Sequence, residues 1–184
     1  MQQKAKLRKR YLKIRKKNYF DINKKFFFPL LKLIGKKFKK KPLIIALYYP
    51  SNFELNVLRA LEFKYFSDQI ILLPVVEKNY LMRFYPWKKN DPLTVSEIGI
   101  LEPIKTKAKI PDIMLIPLLA FDKDKFRLGY GKGYYDRYLN KYIKQFKNIM
   151  TVGVAFSFQK HNKLPINNND IKLDFILTEK GIHK

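Results

Sequence analysis

There is no cysteine in this 184-residue chain, which excludes disulfides, thiolate catalysis and cysteine-ligated metal or iron–sulfur sites. Histidine is nearly absent. His161 and His183 are the two, and with no partner at metal-ligand spacing both read as ordinary surface residues. Acids are few, 15 against 39 lysines and arginines. No apolar run approaches the roughly 20 residues that span a bilayer, and the Lys-rich start is not followed by the apolar stretch of a secretory signal. A cytoplasmic protein with no membrane partner is expected. Glycine is also sparse: there are seven, so any clustering among them is informative.

The net charge is +24 and unevenly spread, with 17 lysines and arginines and a single acid, Asp21, in residues 1–41. Such a balance favours anionic partners. A basic nucleic-acid-binding arm with interleaved aromatics is one reading, although no recognised nucleic-acid signature accompanies it. The joint richness in Lys, Asn, Ile, Phe and Tyr is also what A+T-rich codon usage produces.

Hydrophobic periodicity predicts a helix over 3–19 with Leu7, Tyr11 and Ile14 on one stripe, and a weaker helical stretch over 22–40 interrupted at Pro29. Short apolar runs at 43–49, 69–76, 113–117, 150–156 and 173–177 read as buried strands, and 80–85 as a further strand. Helices are predicted over 54–66 and, most strongly, 134–146, where Tyr135, Tyr138, Leu139, Tyr142, Ile143 and Phe146 share a face. Residues 86–111 read as irregular, and Trp87 and Phe26–Phe28 as core. Strands alternating with helices predict a single α/β domain over 1–184: three layers, a largely parallel central sheet, and an N-terminal helical arm on its body.

Three of the seven glycines, Gly129, Gly131 and Gly133, fall between a strand and the strongest helix. Glycines let backbone N–H groups approach an anion, and a helix N-terminus adds partial positive charge. Arg127 precedes this loop and Lys132 lies inside it. The spacing is neither the P-loop nor the dinucleotide fingerprint. A phosphate cradle and a plain glycine turn with solvated cations both remain open on spacing alone. Asp136, one turn into the helix, suits a Mg²⁺ ligand beside phosphates, or a carboxylate favoured by the helix dipole. Asp174 stands among apolar positions, where an acid needs exposure or a partner.

The stretch Pro111–Leu139, PDIMLIPLLAFDKDKFRLGYGKGYYDRYL, resembles the signature of the 5-formyltetrahydrofolate cyclo-ligase family, also called methenyltetrahydrofolate synthetases. Lys4, Leu7 and Arg8 resemble the family's K-x-x-L-R element, Glu54 its acidic element after the first strand, Gly99–Pro103 its G-I-x-E-P segment and Asn169–Leu177 its ending. The resemblance implies a three-layer α/β fold, and a monomer is expected. It implies ATP-dependent closure of 5-formyltetrahydrofolate to 5,10-methenyltetrahydrofolate, with Mg²⁺ and no specific nucleic-acid partner; the folate could carry a polyglutamate tail. Carried onto this chain, Lys4, Arg8, Arg127, Leu128, Gly129, Tyr130, Gly131, Lys132, Gly133, Tyr134 and Tyr135 would bind ATP. Tyr49, Glu54 and Tyr130–Tyr134 would line the folate site, Arg127 and Lys132 would act on the transferring phosphoryl group, and Asp136 and Asp174 would hold the metal.

Overall fold

The computed structural model describes residues 2–39, 42–145 and 149–184, with the backbone alone for 143–145. Seven strands form one sheet: β1 (Ile44–Ala46), β2 (Ile70–Val76), β3 (Met82–Pro86), β6 (Ile113–Pro117), β9 (Met150–Val154), β10 (Phe175–Thr178) and β11 (Gly181–His183). Their order is β11-β10-β9-β6-β1-β2-β3. The five inner strands are parallel and the two edge strands antiparallel. Two small ribbons, β4 (Leu93–Val95) with β5 (Leu101–Pro103) and β7 (Ala120–Phe121) with β8 (Arg127–Leu128), complete the strands.

The layers follow from the two-residue period of a strand. Ile45, Leu47, Ile113, Leu115, Val152 and Val154 point to one face, where α2 (Phe28–Lys37) and α3 (Lys64–Ser67) cover them with Leu30, Ile34 and Phe66. Ala46, Met114, Ile116 and Ile176 point to the other, covered by α4 (Tyr134–Gln145) through Tyr138 and Leu139. The predicted three layers and mostly parallel sheet are therefore present. The arm, α1 (Gln2–Asn18), is no free tail: Leu7, Tyr11 and Ile14 pack with Leu119, Ala120, Leu128 and Leu164. Trp87 and Phe27 are buried, while Phe28 is exposed.

Local chemistry accounts for the departures from expectation. Pro29 opens α2 in its first turn instead of kinking a longer helix, as its fixed φ allows. Residues 54–66 do not form one helix. Asn56 caps a 3₁₀ segment at Val57–Glu62, and Phe63 is extended before α3 begins. The β4–β5 hairpin lies inside the stretch that reads as irregular, and β11 adds an edge strand that no apolar run announced. Phe146 and the Ile143 side chain lie outside the described atoms, as does Lys40 at the end of the second predicted helix.

Gly153 sits in the middle of β9. An added Cβ would lie 2.7 Å from Ile176 Cδ1 and 2.8 Å from both Leu118 Cδ2 and Leu173 Cδ1. Overpacking of this kind costs about 1–3 kcal/mol. Gly153→Ala is therefore expected to lower Tm by about 2–4 °C for each kcal/mol lost, readable by calorimetry. An unchanged Tm would show that the three side chains move aside freely.

Candidate functional site

The site is built at the carboxyl ends of the parallel strands, where open α/β sheets place ligands. After β6 the chain makes the β7–β8 ribbon and enters α4 through Gly129–Gly133. Gly131 and Gly133 have φ of +101° and +69°, backbone that L side chains rarely adopt. Their bare Cα atoms also leave room for guanidinium groups. A Cβ on Gly131 would lie 3.0 Å from Arg8 Cζ, and one on Gly133 3.0 Å from Arg137 Nη1. Arg8 Nε donates to the Gly129 carbonyl at 2.9 Å, so α1 brings Arg8 onto the loop. Lys4, one turn away, instead pairs with Asp170 at 2.5 Å, fastening α1 to the 167–170 turn.

Arg127 does not project freely into the loop. Its side chain is 4% exposed. It donates to Asp136 Oδ1 at 2.7 Å and to the Ile171 carbonyl at 3.2 Å, and the Ile171 N–H reaches the same Asp136 oxygen at 3.3 Å. A buried guanidinium must find acceptors, and Arg127 finds them within the protein. Lys132 is exposed, and its carbonyl accepts from Arg137 Nη2.

Asp136 and Asp174, expected on one ion, have separate hydrogen-bond partners among the described residues. Asp174 Oδ2 accepts from the Thr151 N–H at 2.7 Å and its hydroxyl at 2.8 Å, at the start of β9, and shares no partner with Asp136. Among the described residues no three His, Cys, Asp or Glu side chains group as a metal site. One carboxylate beside a glycine loop at a helix N-terminus is chemically compatible with a Mg²⁺ ion that takes most of its ligands from phosphate oxygens.

The second half of the site follows β1. Asn52 and Phe53 have φ of +48° and +61°, and this tight turn presents Glu54. Glu54 is 6% exposed; its Oε2 accepts from the Ser51 N–H at 2.9 Å and its Oε1 from the Tyr130 hydroxyl at 2.5 Å. Burial pushes the Glu54 carboxyl above the usual carboxylate range, against the opposing pull of Tyr130, Ser51 and Arg15. A cleft of about 290 Å³ opens here between Tyr19, Pro50, Ser51, Asn52, Phe53 and Glu54. Tyr49 is half-buried against the core.

Tyr130 joins the two halves. Burial raises its hydroxyl well above the ordinary range for tyrosine, so it stays protonated and donates to Glu54. The same oxygen accepts from Arg15 Nη2 at 2.5 Å. Tyr135, in the first turn of α4, has a buried hydroxyl with no hydrogen-bond partner among the described residues, which costs about 1–3 kcal/mol unless a ligand supplies one. Glu54 and Arg127 both act on it electrostatically. The Tyr134 ring lies 6.2 Å from that of Tyr80, and the Arg137 guanidinium stacks on both, 5.1 Å from Tyr80 and 5.7 Å from Tyr134. Arg15, Tyr80 and Arg137 are site residues that sequence reasoning missed. For Arg15 one signal existed: it lies four residues after Tyr11, a cation beside an apolar stripe.

The model of the 5-formyltetrahydrofolate cyclo-ligase family matches residues 1–179. The 5-formyltetrahydrofolate cyclo-ligase of Haemophilus influenzae is 33% identical over 141 residues, covering 72% of this chain and 74% of that protein. That of Mycoplasma pneumoniae is 48% identical over 69 residues, 38% of this chain and 40% of its own. The NMR structure of the Aquifex aeolicus 5,10-methenyltetrahydrofolate synthetase superposes with a TM-score of 0.74 at 31% identity, covering 98% of this chain and 92% of that one. The Mycoplasma pneumoniae synthetase gives 0.68 at 30% identity, over 95% and 97% of the two chains. A family match over nearly the whole sequence and a fold shared along nearly the whole chain have one conclusion: the chain belongs to the 5-formyltetrahydrofolate cyclo-ligase family.

Proposed function

We propose that this enzyme closes 5-formyltetrahydrofolate to 5,10-methenyltetrahydrofolate with consumption of ATP. The observation that carries the reading is Tyr130. One side chain belongs to the glycine loop and bonds the carboxylate that borders a separate cleft, which supports a reaction that must bring a nucleotide and a second substrate together for phosphoryl transfer. The formyl oxygen attacks the γ-phosphorus and ADP leaves. The folate nitrogen at position ten then attacks the activated carbon, loses its proton, and phosphate departs. No protein nucleophile is needed, in keeping with a chain without cysteine; positioning and charge neutralisation supply the catalysis.

In this reading the loop N–H groups, Arg8 and Lys132 bind the phosphates, and Tyr135 offers its unpartnered hydroxyl to a ligand. Tyr49, Glu54 and the Tyr130–Tyr134 segment hold the folate. Mg²⁺ enters with the nucleotide, as MgATP, beside Asp136. Among the described residues no helix is long and apolar enough to cross a membrane, and the proposed setting is a cytoplasmic monomer.

The test is purified protein with 5-formyltetrahydrofolate, with and without MgATP. Near-ultraviolet absorbance should report the conjugated product, formed one for one with ADP. No product at high enzyme concentration, with the folate intact, overturns the reading. The two acids give a second check. Asp136→Asn is expected to raise the Mg²⁺ requirement several-fold. Asp174→Ala should lower Tm by a few degrees, since it removes the two hydrogen bonds that Thr151 donates to Asp174 Oδ2, each worth about 1 kcal/mol, with the Mg²⁺ requirement within about twofold of wild type. Equal shifts in the requirement would instead place both acids on one ion.

A further inference from the structure

Arg15 is 1% exposed, and its hydrogen-bond partners are all neutral oxygens. Nε and Nη2 both donate to the Asn52 carbonyl, at 3.1 and 2.7 Å. Nη1 donates to the Leu118 carbonyl at 3.2 Å, just past β6. Nη2 also reaches the Tyr130 hydroxyl, and the guanidinium carbon lies 5.5 Å from the centre of that ring. One planar fork thus ties together α1, the end of β6, the turn before Glu54 and the middle of the glycine loop. Burying a cation is costly, and an apolar side chain of similar size often serves stability as well or better. Stability is therefore a poor account of Arg15.

Placement is a better account. Asn52 is one of two adjacent non-glycine residues in the left-handed region, a conformation that persists only where its surroundings over-determine it. Arg15 grips the carbonyl of that residue from two nitrogens. Two residues on, Glu54 shares the Tyr130 hydroxyl with the same guanidinium. We propose that Arg15 is a positioning residue that locks the Asn52–Glu54 turn to Tyr130, so that folate and nucleotide meet one preassembled site. This inference rests on the function proposed above. Lysine cannot substitute, because a single ammonium lacks the fork that brackets one carbonyl while reaching two further acceptors.

The experiment is steady-state kinetics on wild type, Arg15→Lys, Tyr130→Phe and the double variant, with Tm measured for each. Tyr130 is 39% exposed as a residue although its hydroxyl is enclosed by Arg15 and Glu54, and Tyr130→Phe removes that one oxygen only, so it is expected to fold even if Arg15→Lys does not. Each single variant is expected to raise KM for 5-formyltetrahydrofolate and for MgATP together, by about tenfold, the scale of one lost positioning contact. The double variant should be no worse than Arg15→Lys, because both changes break the same link. If Arg15→Lys does not fold, Arg15→Met takes its place in the same cycle, because it keeps the apolar stem and removes the fork, and a joint rise in both KM values that Tyr130→Phe does not add to supports the lock. Folded variants with lowered Tm and both KM values within about twofold of wild type overturn it, as does a rise confined to one substrate. A wild-type protein that forms no methenyl product defeats the functional reading itself, whereas an active wild type with unaffected variants defeats this inference alone.

Discussion

Arg127→Ala is expected to lower turnover by about 10²-fold or more, the scale for dismantling one positioned electrostatic contact, while Lys132→Gly lowers it less than about tenfold. The contrast follows from burial. Lys132 is a solvated cation on the loop surface, where screening weakens what any single charge contributes. Arg127 is enclosed and holds three things in register: the last strand residues before the loop, Asp136 in the first turn of α4, and the chain at Ile171. Among the described residues, its removal leaves the Asp136 carboxylate with the Ile171 N–H and releases the start of α4 after the glycine loop. Sequence reasoning has Arg127 act on the transferring phosphoryl group; the contacts make it a brace between the glycine loop, Asp136 and the chain at Ile171. The two roles separate experimentally. A brace lowers Tm and weakens ATP binding along with kcat, and Asp136→Ala in the Arg127→Ala background should add little. Near-normal turnover in a folded Arg127→Ala protein would remove Arg127 from the machinery altogether.

What was legible in the sequence, and what was not, divides by the range of the interactions involved. The stripe Leu7, Tyr11, Ile14 is a local pattern, and it correctly predicted an arm that docks. The inner strands are continuous apolar runs because helices cover both faces, and these too were read within a few residues. The glycine loop announced itself by composition. Arg15 left only one local trace, its place four residues after Tyr11 beside the apolar stripe, and that spacing does not say what it meets. Its burial depends on carbonyls at Asn52 and Leu118, 37 and 103 residues away. The failed helix over 54–66 has the same origin. The apolar spacing is helical, but Asn56 accepts from the Leu58 N–H and Phe63 turns extended, so side-chain capping overrode periodicity. The pairing of Arg127 with Asp136 was also hidden, since nine residues of loop and helix separate two groups that only the fold of the glycines brings to 2.7 Å.

Glu54→Gln should raise KM for the folate substrate by about 10–100-fold while changing stability at pH 7 by less than about 1 kcal/mol. The binding figure is the loss of a hydrogen bond from a charged acceptor, about 1.5–3 kcal/mol, at tenfold for each 1.4 kcal/mol. The stability figure is a near-cancellation. Burial of the ionised carboxyl is unfavourable enough to outweigh Tyr130, Ser51 and Arg15, since its pKa is raised above the ordinary 4.5. The amide escapes that term. It also loses an acceptor, because the Ser51 N–H and the Tyr130 hydroxyl both donate to Glu54 and a carboxamide offers only one oxygen. The pH dependence has a definite sign. The folded chain holds a proton on Glu54 more readily than the unfolded chain does, so Glu54 makes the wild type gain stability as pH falls through the raised folded value toward 4.5. The glutamine variant lacks this gain. The difference, variant minus wild type, is therefore most in the variant's favour above the folded pKa and declines below it, to level off once pH is under 4.5. Chemical denaturation of both proteins across that window measures it. A difference that stays flat with pH would show that Glu54 is not held above its ordinary pKa. A folate KM unchanged in the variant would remove Glu54 from the substrate site.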